Sequence, residues 1–286
     1  MKNILLPTDF SENSWNAIEY ALRFLAKAKC HFYLLHVNRI SALVDSDMPY
    51  LPTQDVVKEL IISPAKKELQ KLQKRISEQL PHNKNHKFYA LSDYNFFIES
   101  IRKHVIEKKI DMIIMGTKGS SGLQKFIIGS NAGDVITKVP CATLVVPENA
   151  RFNGIKELAF PTDFALTYNF QTLVPITEVL ENNDATLSIV HIGQNIKDLN
   201  IGQVKNKELL EEYFSDDKHS FYFLTNDKIE EAIQCFVQSR KIDMIAMVAK
   251  NLNYFQRILF LPTVEEISYH TDVPFLVLHE QHLNYA

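Results

Sequence analysis

The sequence predicts an α/β protein built as two tandem, doubly wound, parallel five-stranded sheets packed as a pseudo-dimer. Three observations carry this: an internal repeat, an alternation of strand and helix patterns within each copy, and loop chemistry concentrated after particular strands. The repeat decides the organisation. ILLPTDF (4–10) returns as ELAFPTDF (157–164), LLHV (34–37) as IVHI (189–192), KKIDMIIM (108–115) as RKIDMIAM (240–247), and VPCATLVVPE (139–148) as VPFLVLHE (273–280). All four echoes keep their order. The offset falls along the chain because repeat 2 lacks about twenty residues of the middle connection. PENARFNGI is polar and carries Gly154, so the expected domains are 1–149 and 150–286.

In repeat 1, residues 3–6, 31–37, 87–91, 110–115 and 142–146 are compact runs rich in β-branched and aromatic residues, and read as strands. Trp15, Ile18, Ala21, Leu22 and Leu25 share a helical stripe after the first strand, with Ser11 or Asn13 placed to cap it. Residues 56–80 form a long charged amphipathic candidate, and Phe97, Ile101 and Val105 a further stripe. Strand and helix in alternation imply right-handed crossovers and a parallel sheet with helices on both faces. The fifth strand of each repeat is apolar and is the expected sheet edge. Antiparallel pairing of the two edges within the chain is the simplest cover for them. A homodimer beyond this pairing stays open.

Composition narrows the function. A net charge of −3 gives no long-range attraction to nucleic acid or anionic membranes. No apolar run is long enough to span a bilayer, and the first apolar run meets Pro7 and Asp9 too early for a signal-peptide core. Cys30, Cys141 and Cys235 are odd in number and widely spaced, which fits a reduced cytoplasmic protein.

Open α/β sheets bind ligands beyond the carboxyl ends of their strands. Pro7-Thr8-Asp9 follows the first strand, and MGTKGSSGLQKFIIGSNAGD (115–134) follows the fourth. The latter holds five of the chain's eight glycines, where random placement would put about 0.5. Glycines free backbone N–H groups to approach a ligand, and a helix starting at Ser130 adds its dipole, so an anion such as phosphate is the expected guest. A loop that needs glycine only for its shape is the alternative. Asp9, which recurs as Asp163, also reads as a cap of the following helix. His36 and His191 read as core histidines, and neither His82/His86 nor His279/His282 has a carboxylate at metal spacing.

The segment contains neither a Walker A loop nor GxGxxG. Its spacing, Gly116-x2-Gly119-x9-Gly129-Ser130, resembles the signature of ATP-binding universal stress proteins, and PTDFS, LLHV and VPCATLVVP are similar to other landmarks of that family. The resemblance implies ATP, with Mg2+, bound across the first and fourth strands. It places Asp9 and Val37 at adenine or ribose, with Pro7 and Thr8 of the same turn among the binding residues, and Met115 and Gly116 along the ribose. Gly119, Gly129, Ser130 and Asn131 would hold phosphates, while Lys118 either reaches a phosphate or points to water. Repeat 2 departs from the pattern: Val248 and Asn251 stand where Gly116 and Gly119 stood, and the third position falls near residues 261–263 with no glycine, so its site is expected to be lost. No catalytic constellation assembles, although slow ATP hydrolysis or self-phosphorylation stays open. The favoured function is a nucleotide-dependent stress-response or signalling module. The alternative is a nucleotide-free dimerisation or interaction protein of the same fold.

Overall fold

The computed structural model describes residues 1–38, 63–117, 130–193, 199–226, 228–249 and 272–280, the side chains of Ser130 and Glu230 excepted. Repeat 1 runs β1 (Lys2–Pro7), α1 (Glu12–Phe24), β2 (Cys30–Asn38), α2 (Ser63–Gln79), β3 (His86–Tyr94), α3 (Phe97–Glu107), β4 (Met112–Thr117), α4 (Ser130–Lys138) and β5 (Ala142–Pro147). Repeat 2 runs β6 (Glu157–Pro161), α5 (Phe170–Asn183), β7 (Thr186–Gly193), α6 (Ile201–Tyr213), β8 (His219–Thr225), α7 (Ile229–Arg240), β9 (Met244–Val248) and β10 (Phe275–Leu278). Strands lie where the apolar runs place them, because each run supplies β-branched or aromatic residues to a sheet buried on both faces. Of the long candidate helix at 56–80, Ser63–Gln79 is helical and residues 56–62 lie outside the described residues.

The strand order is β3-β2-β1-β4-β5-β10-β9-β6-β7-β8, so two five-stranded parallel sheets meet in one ten-stranded sheet. At the junction β5 and β10 pair antiparallel, with Phe275 opposite Val145, Leu276 opposite Leu144 and Val277 opposite Thr143. Leu144, Val145, Leu276 and Val277 are fully buried, so this seam is core rather than rim. One apolar cluster lies under α1, α2, α5 and α6 and passes from one repeat into the other. A second lies under α3, α4 and α7 on the opposite face. Lys2 pairs with Glu178, and Lys27 Nζ donates to the carbonyl of Asn182 at 2.8 Å, tying β1 and the end of α1 to α5.

The repeated IDMI motif has a structural cause. Asp111 Oδ2 accepts from the backbone N–H of Asn3 at 2.7 Å, and its own N–H donates to the Asn3 carbonyl at 2.8 Å. Asp243 does the same in repeat 2, accepting from Lys156 N at 2.7 Å and Glu157 N at 3.0 Å. Each aspartate thus locks the fourth strand to the start of the first, at the sheet end away from the ligand crevice.

The connection between repeats is polar in composition but not free of the fold. Ala150 and Ile155 are buried. Asn16 of α1 donates through Nδ2 to the carbonyls of Pro147 and Ala150, both at 3.1 Å, and accepts from the Arg151 guanidinium at 2.6 Å. Phe152 sets its ring edge-on to Tyr20 and Phe24, with centroids 5.4 and 5.9 Å apart. Residues 148–154 therefore form a strap lying on α1. Among the described residues no helix is long and apolar enough to cross a membrane.

Candidate functional site

In repeat 1 the strand order reverses between β1 and β4, which opens a crevice beyond their carboxyl ends. The loop after β1 enters it in a tightly held turn. Thr8 Oγ1 accepts from the N–H of Phe10 at 3.0 Å and lies 3.0 Å from Ser14 Oγ. Phe10 takes φ 65°, a strained value for an aromatic residue. Its ring stacks on His36 at the end of β2, centroids 4.4 Å apart, while His36 Nδ1–H donates to the Thr8 carbonyl at 2.8 Å. Histidine here is a clamp on the turn.

Asp9 stands exposed at the rim of this turn. Its Oδ1 accepts from Ser11 N at 3.1 Å and from Ser11 Oγ at 2.5 Å. Partial burial pushes the carboxyl upward, but hydrogen bonds from Ser11 and Ser14 together outweigh it and hold the group below its ordinary value. Asp9 is thus an anion with acceptor capacity left for a ligand hydroxyl or amine. Ser11 is the cap of α1, its hydroxyl accepting from Ser14 N at 3.2 Å, which settles the choice between Ser11 and Asn13.

Across the crevice, β4 ends in Met115, Gly116 and Thr117. A Cβ on Gly116 would sit 2.7 Å from the Asn13 carbonyl oxygen and 2.9 Å from Asn13 Oδ1. Glycine at this position lets the first turn of α1 lie directly against the strand end. Pro7, Thr8 and Met115 have buried side chains, so only their backbone can face a ligand; Val37 is half-buried at the end of β2 and Asn131 is exposed in the first turn of α4. Lys118, Gly119 and Gly129 lie outside the described residues, as does the side chain of Ser130, whose backbone begins α4.

Repeat 2 keeps the turn. Phe164 has φ 55° and stacks on His191 at 5.0 Å, Thr162 Oγ1 accepts from Phe164 N at 3.0 Å, and Asp163 Oδ1 accepts from Ala165 N at 2.9 Å. The shared Thr-Asp-Phe pattern is therefore first a device for making the turn. What differs is its surroundings. Val248 replaces Gly116, and α5 starts at Phe170, four residues later than the alignment of PTDF with the start of α1 requires. In repeat 1 a side chain at the place of Gly116 would meet Asn13 in the first turn of α1. In repeat 2 side chains of α6 reach the turn: Gln203 Nε2 donates to the Asp163 carbonyl and Asn206 Nδ2 to the Phe164 carbonyl, each at 2.8 Å. Asn206 Oδ1 also accepts from Thr167 Oγ1 at 2.8 Å.

The structure adds a pair that the sequence did not single out. Asp93, near the end of β3, is the register partner of Val37. Its Oδ2 lies 2.9 Å from Nε2 of His104 on α3, and its Oδ1 lies 3.7 Å from Lys103 Nζ. His104 is 4% exposed, and its Nδ1 is buried without a hydrogen-bond partner among the described residues. The signal available in the sequence was a histidine adjoining the apolar stripe of Phe97, Ile101 and Val105, with an aspartate at the preceding strand end. Among the described residues no cluster of three His, Cys, Asp or Glu side chains is arranged to hold a metal ion.

The sequence model described as the universal stress protein family matches residues 1–147. A universal stress protein of Methanocaldococcus jannaschii is 27% identical over 150 residues, covering 51% of this chain and 81% of that protein. One from Methanothermobacter thermautotrophicus is 29% identical over 147 residues, covering 51% of this chain and 94% of its own. The crystal structure of a universal stress protein from Archaeoglobus fulgidus superposes with a TM-score of 0.71 over 96% of this chain and 97% of that one. At 16% identity that likeness is one of fold, and it extends over both repeats.

Proposed function

The chain belongs to the universal stress protein family, and from that membership we propose that repeat 1 binds one ATP per chain and that occupancy sets the state of a stress-response or signalling module. The observation that carries the reading is the contrast between two equivalent strand ends. In repeat 1 an exposed Asp9, its carboxyl held below its ordinary value, follows β1, and β4 carries Gly116 near its end and leads into the glycine-rich segment; in repeat 2 Val248 stands at the place of Gly116, and Gln203 and Asn206 donate to the main-chain carbonyls of the turn. Asp9 supplies an acceptor for ribose or base. Backbone N–H groups at Gly119, Gly129 and Ser130, with the N-terminus of α4, would take the phosphates. Lys118 would add a cation, and Asn131 a polar contact at the helix start. Mg2+ bound through phosphate oxygens and water would accompany the triphosphate, the usual manner for this ion.

Calorimetric titration with ATP tests the reading. The expected result is one site per chain, abolished in Gly129→Val and weakened for ATP and adenosine alike in Asp9→Ala. Ser130→Ala should weaken ATP about ten- to a hundredfold, as loss of a hydrogen bond to a charged group does, while sparing adenosine. Two equivalent sites would overturn the asymmetry. No binding of any nucleotide would leave the nucleotide-free interaction protein as the function.

A further inference from the structure

We propose that Asp93, positioned by His104, selects the base of the nucleotide bound at repeat 1 by accepting a hydrogen bond from the exocyclic amine of a 6-aminopurine. The inference rests on the nucleotide reading above and adds a base-selecting residue to it.

Register comes first. Val37 and Asp93 are paired residues of adjacent parallel strands, so their side chains leave the same face of the sheet about 4.8 Å apart. Val37 packs on that face with Leu91 and Val105. A base seated against Val37 therefore has Asp93 as its neighbour on the side away from β1. The rim here is ordered beyond the last strand residues: Asn95 N donates to the Asn38 carbonyl at 3.2 Å, and Asn38 Nδ2 to the Asp93 carbonyl at 3.3 Å.

The carboxylate is fixed and incompletely used. Its side chain is 16% exposed, and the contacts described for it are Nε2–H of His104 at 2.9 Å and the Lys103 ammonium at 3.7 Å. An ionised carboxylate has about four acceptor positions, so capacity remains on its open side. His104 is held by its burial in α3 and gives Asp93 a single orientation. His104 Nδ1 makes no hydrogen bond among the described residues, with Glu107 Oε2 3.9 Å away; burial of that kind costs stability, and a role in aiming Asp93 accounts for the arrangement. The chemistry discriminates in one direction. A 6-amino group donates to the carboxylate; a 6-oxo group sets oxygen against it; hydrogen at that position leaves it unpaired. Sites built to hydrogen-bond a group reject analogues that lack it strongly.

The test titrates ATP, ITP and purine ribonucleoside triphosphate, which carries hydrogen at position 6. Wild type should prefer ATP over both analogues about ten- to a hundredfold, the range for a hydrogen bond to a charged group. Asp93→Ala should bring the three affinities together, mainly by weakening ATP. Asp93→Asn, which keeps an acceptor oxygen and disturbs the packing less, should retain part of the preference. His104→Leu should lower the ATP/ITP ratio, and His104→Gln, which can still donate to Asp93, should restore it. A merely structural histidine would change all three affinities by one factor. Equal binding of the three nucleotides by wild type overturns the proposal, as does an unchanged ratio in a folded Asp93→Ala or His104→Leu protein; in either case ATP binding itself still stands. Failure of every nucleotide to bind overturns both.

Discussion

Converting Gly116 to the residue found at the equivalent place in repeat 2 should make repeat 1 behave like repeat 2. The added Cβ would lie 2.7 Å from the Asn13 carbonyl oxygen, 2.9 Å from Asn13 Oδ1 and 3.0 Å from Asn13 Cγ. Ordinary contacts of this kind are several tenths of an ångström longer. The side-chain atoms can rotate away; the carbonyl cannot, because the first turn of α1 is held by the Ser11 cap at 3.2 Å and by Thr8 Oγ1 against Ser14 Oγ at 3.0 Å. Relief therefore requires the helix start to shift or unwind. Overpacking of this kind costs about 1–3 kcal/mol, and unwinding the turn adds the loss of a cap, about 1 kcal/mol. At about 2–4 °C per kcal/mol for a unit of this size, Gly116→Val should lower the melting temperature by several degrees. Gly116→Ala should do so by less. Because the Asp9–Ser11 turn leads straight into that helix, ATP affinity should fall at least about tenfold. Differential scanning calorimetry and ATP titration on the same preparations read both effects. A melting temperature within about one degree of wild type, with unchanged ATP affinity, would refute the packing argument and the placing of Gly116 at the site.

The strap between repeats depends on one side chain: Asn16→Ala removes two donations to main-chain carbonyls and the acceptor for Arg151. It should destabilise the chain by about 2–3 kcal/mol and speed proteolysis within residues 148–154; an unaltered cleavage rate would show that the strap is held by other contacts. Burial pushes the imidazole of His279 down to about 4, against about 6.5 in an unfolded chain. Below pH 6.5 the unfolded chain gains a proton that the folded protein refuses, so this group's contribution to stability is complete above pH 6.5 and is lost as pH falls towards 4. The loss should be on the order of 3 kcal/mol and absent in His279→Leu, as compared by chemical denaturation at pH 7.5 and 4.5. Parallel stability curves for the two proteins would rule it out.

Much of the fold was legible because it repeats for local reasons. PTDF occurs twice because threonine and aspartate side chains hold a turn in which phenylalanine adopts positive φ, and IDMI because aspartate bridges two strands. Both are short-range patterns that a sequence displays. The late start of α5 was not legible. The cap that replaces Ser11 is Asn169, whose side chain accepts from Gln171 N at 3.0 Å. The polar composition of PENARFNGI marks a domain boundary and hides the strap, which is held by Asn16 and Arg151 and by Ala150 and Phe152, two apolar residues too few to signal an element. The Asp93–His104 pair escaped because β3 and α3 bring together residues that look ordinary alone. The glycine segment, which the sequence displays most plainly, lies largely outside the described residues, so the site is read from its other wall.

These features bear on what the second repeat does for the first. A strand such as β5, apolar and at the end of a sheet, invites pairing with another chain when left open. Covering it with a separate subunit makes the cover depend on concentration. A covering strand on the same chain acts at a high effective concentration fixed by the connection, and here the connection is packed onto α1 by Asn16, Arg151 and Phe152. Repeat 2 retains the parts that hold β10 in place: its five strands, the apolar cluster continuous with that of repeat 1, the Asp243 bridge and the Phe164 turn. It carries Val248 where β4 has Gly116, a change that a cover strand tolerates. Its own Gln203 and Asn206 donate to the carbonyls of Asp163 and Phe164 at the turn, so these two main-chain groups are satisfied within the repeat. A built-in edge cover thus accounts for the elements that the two halves share.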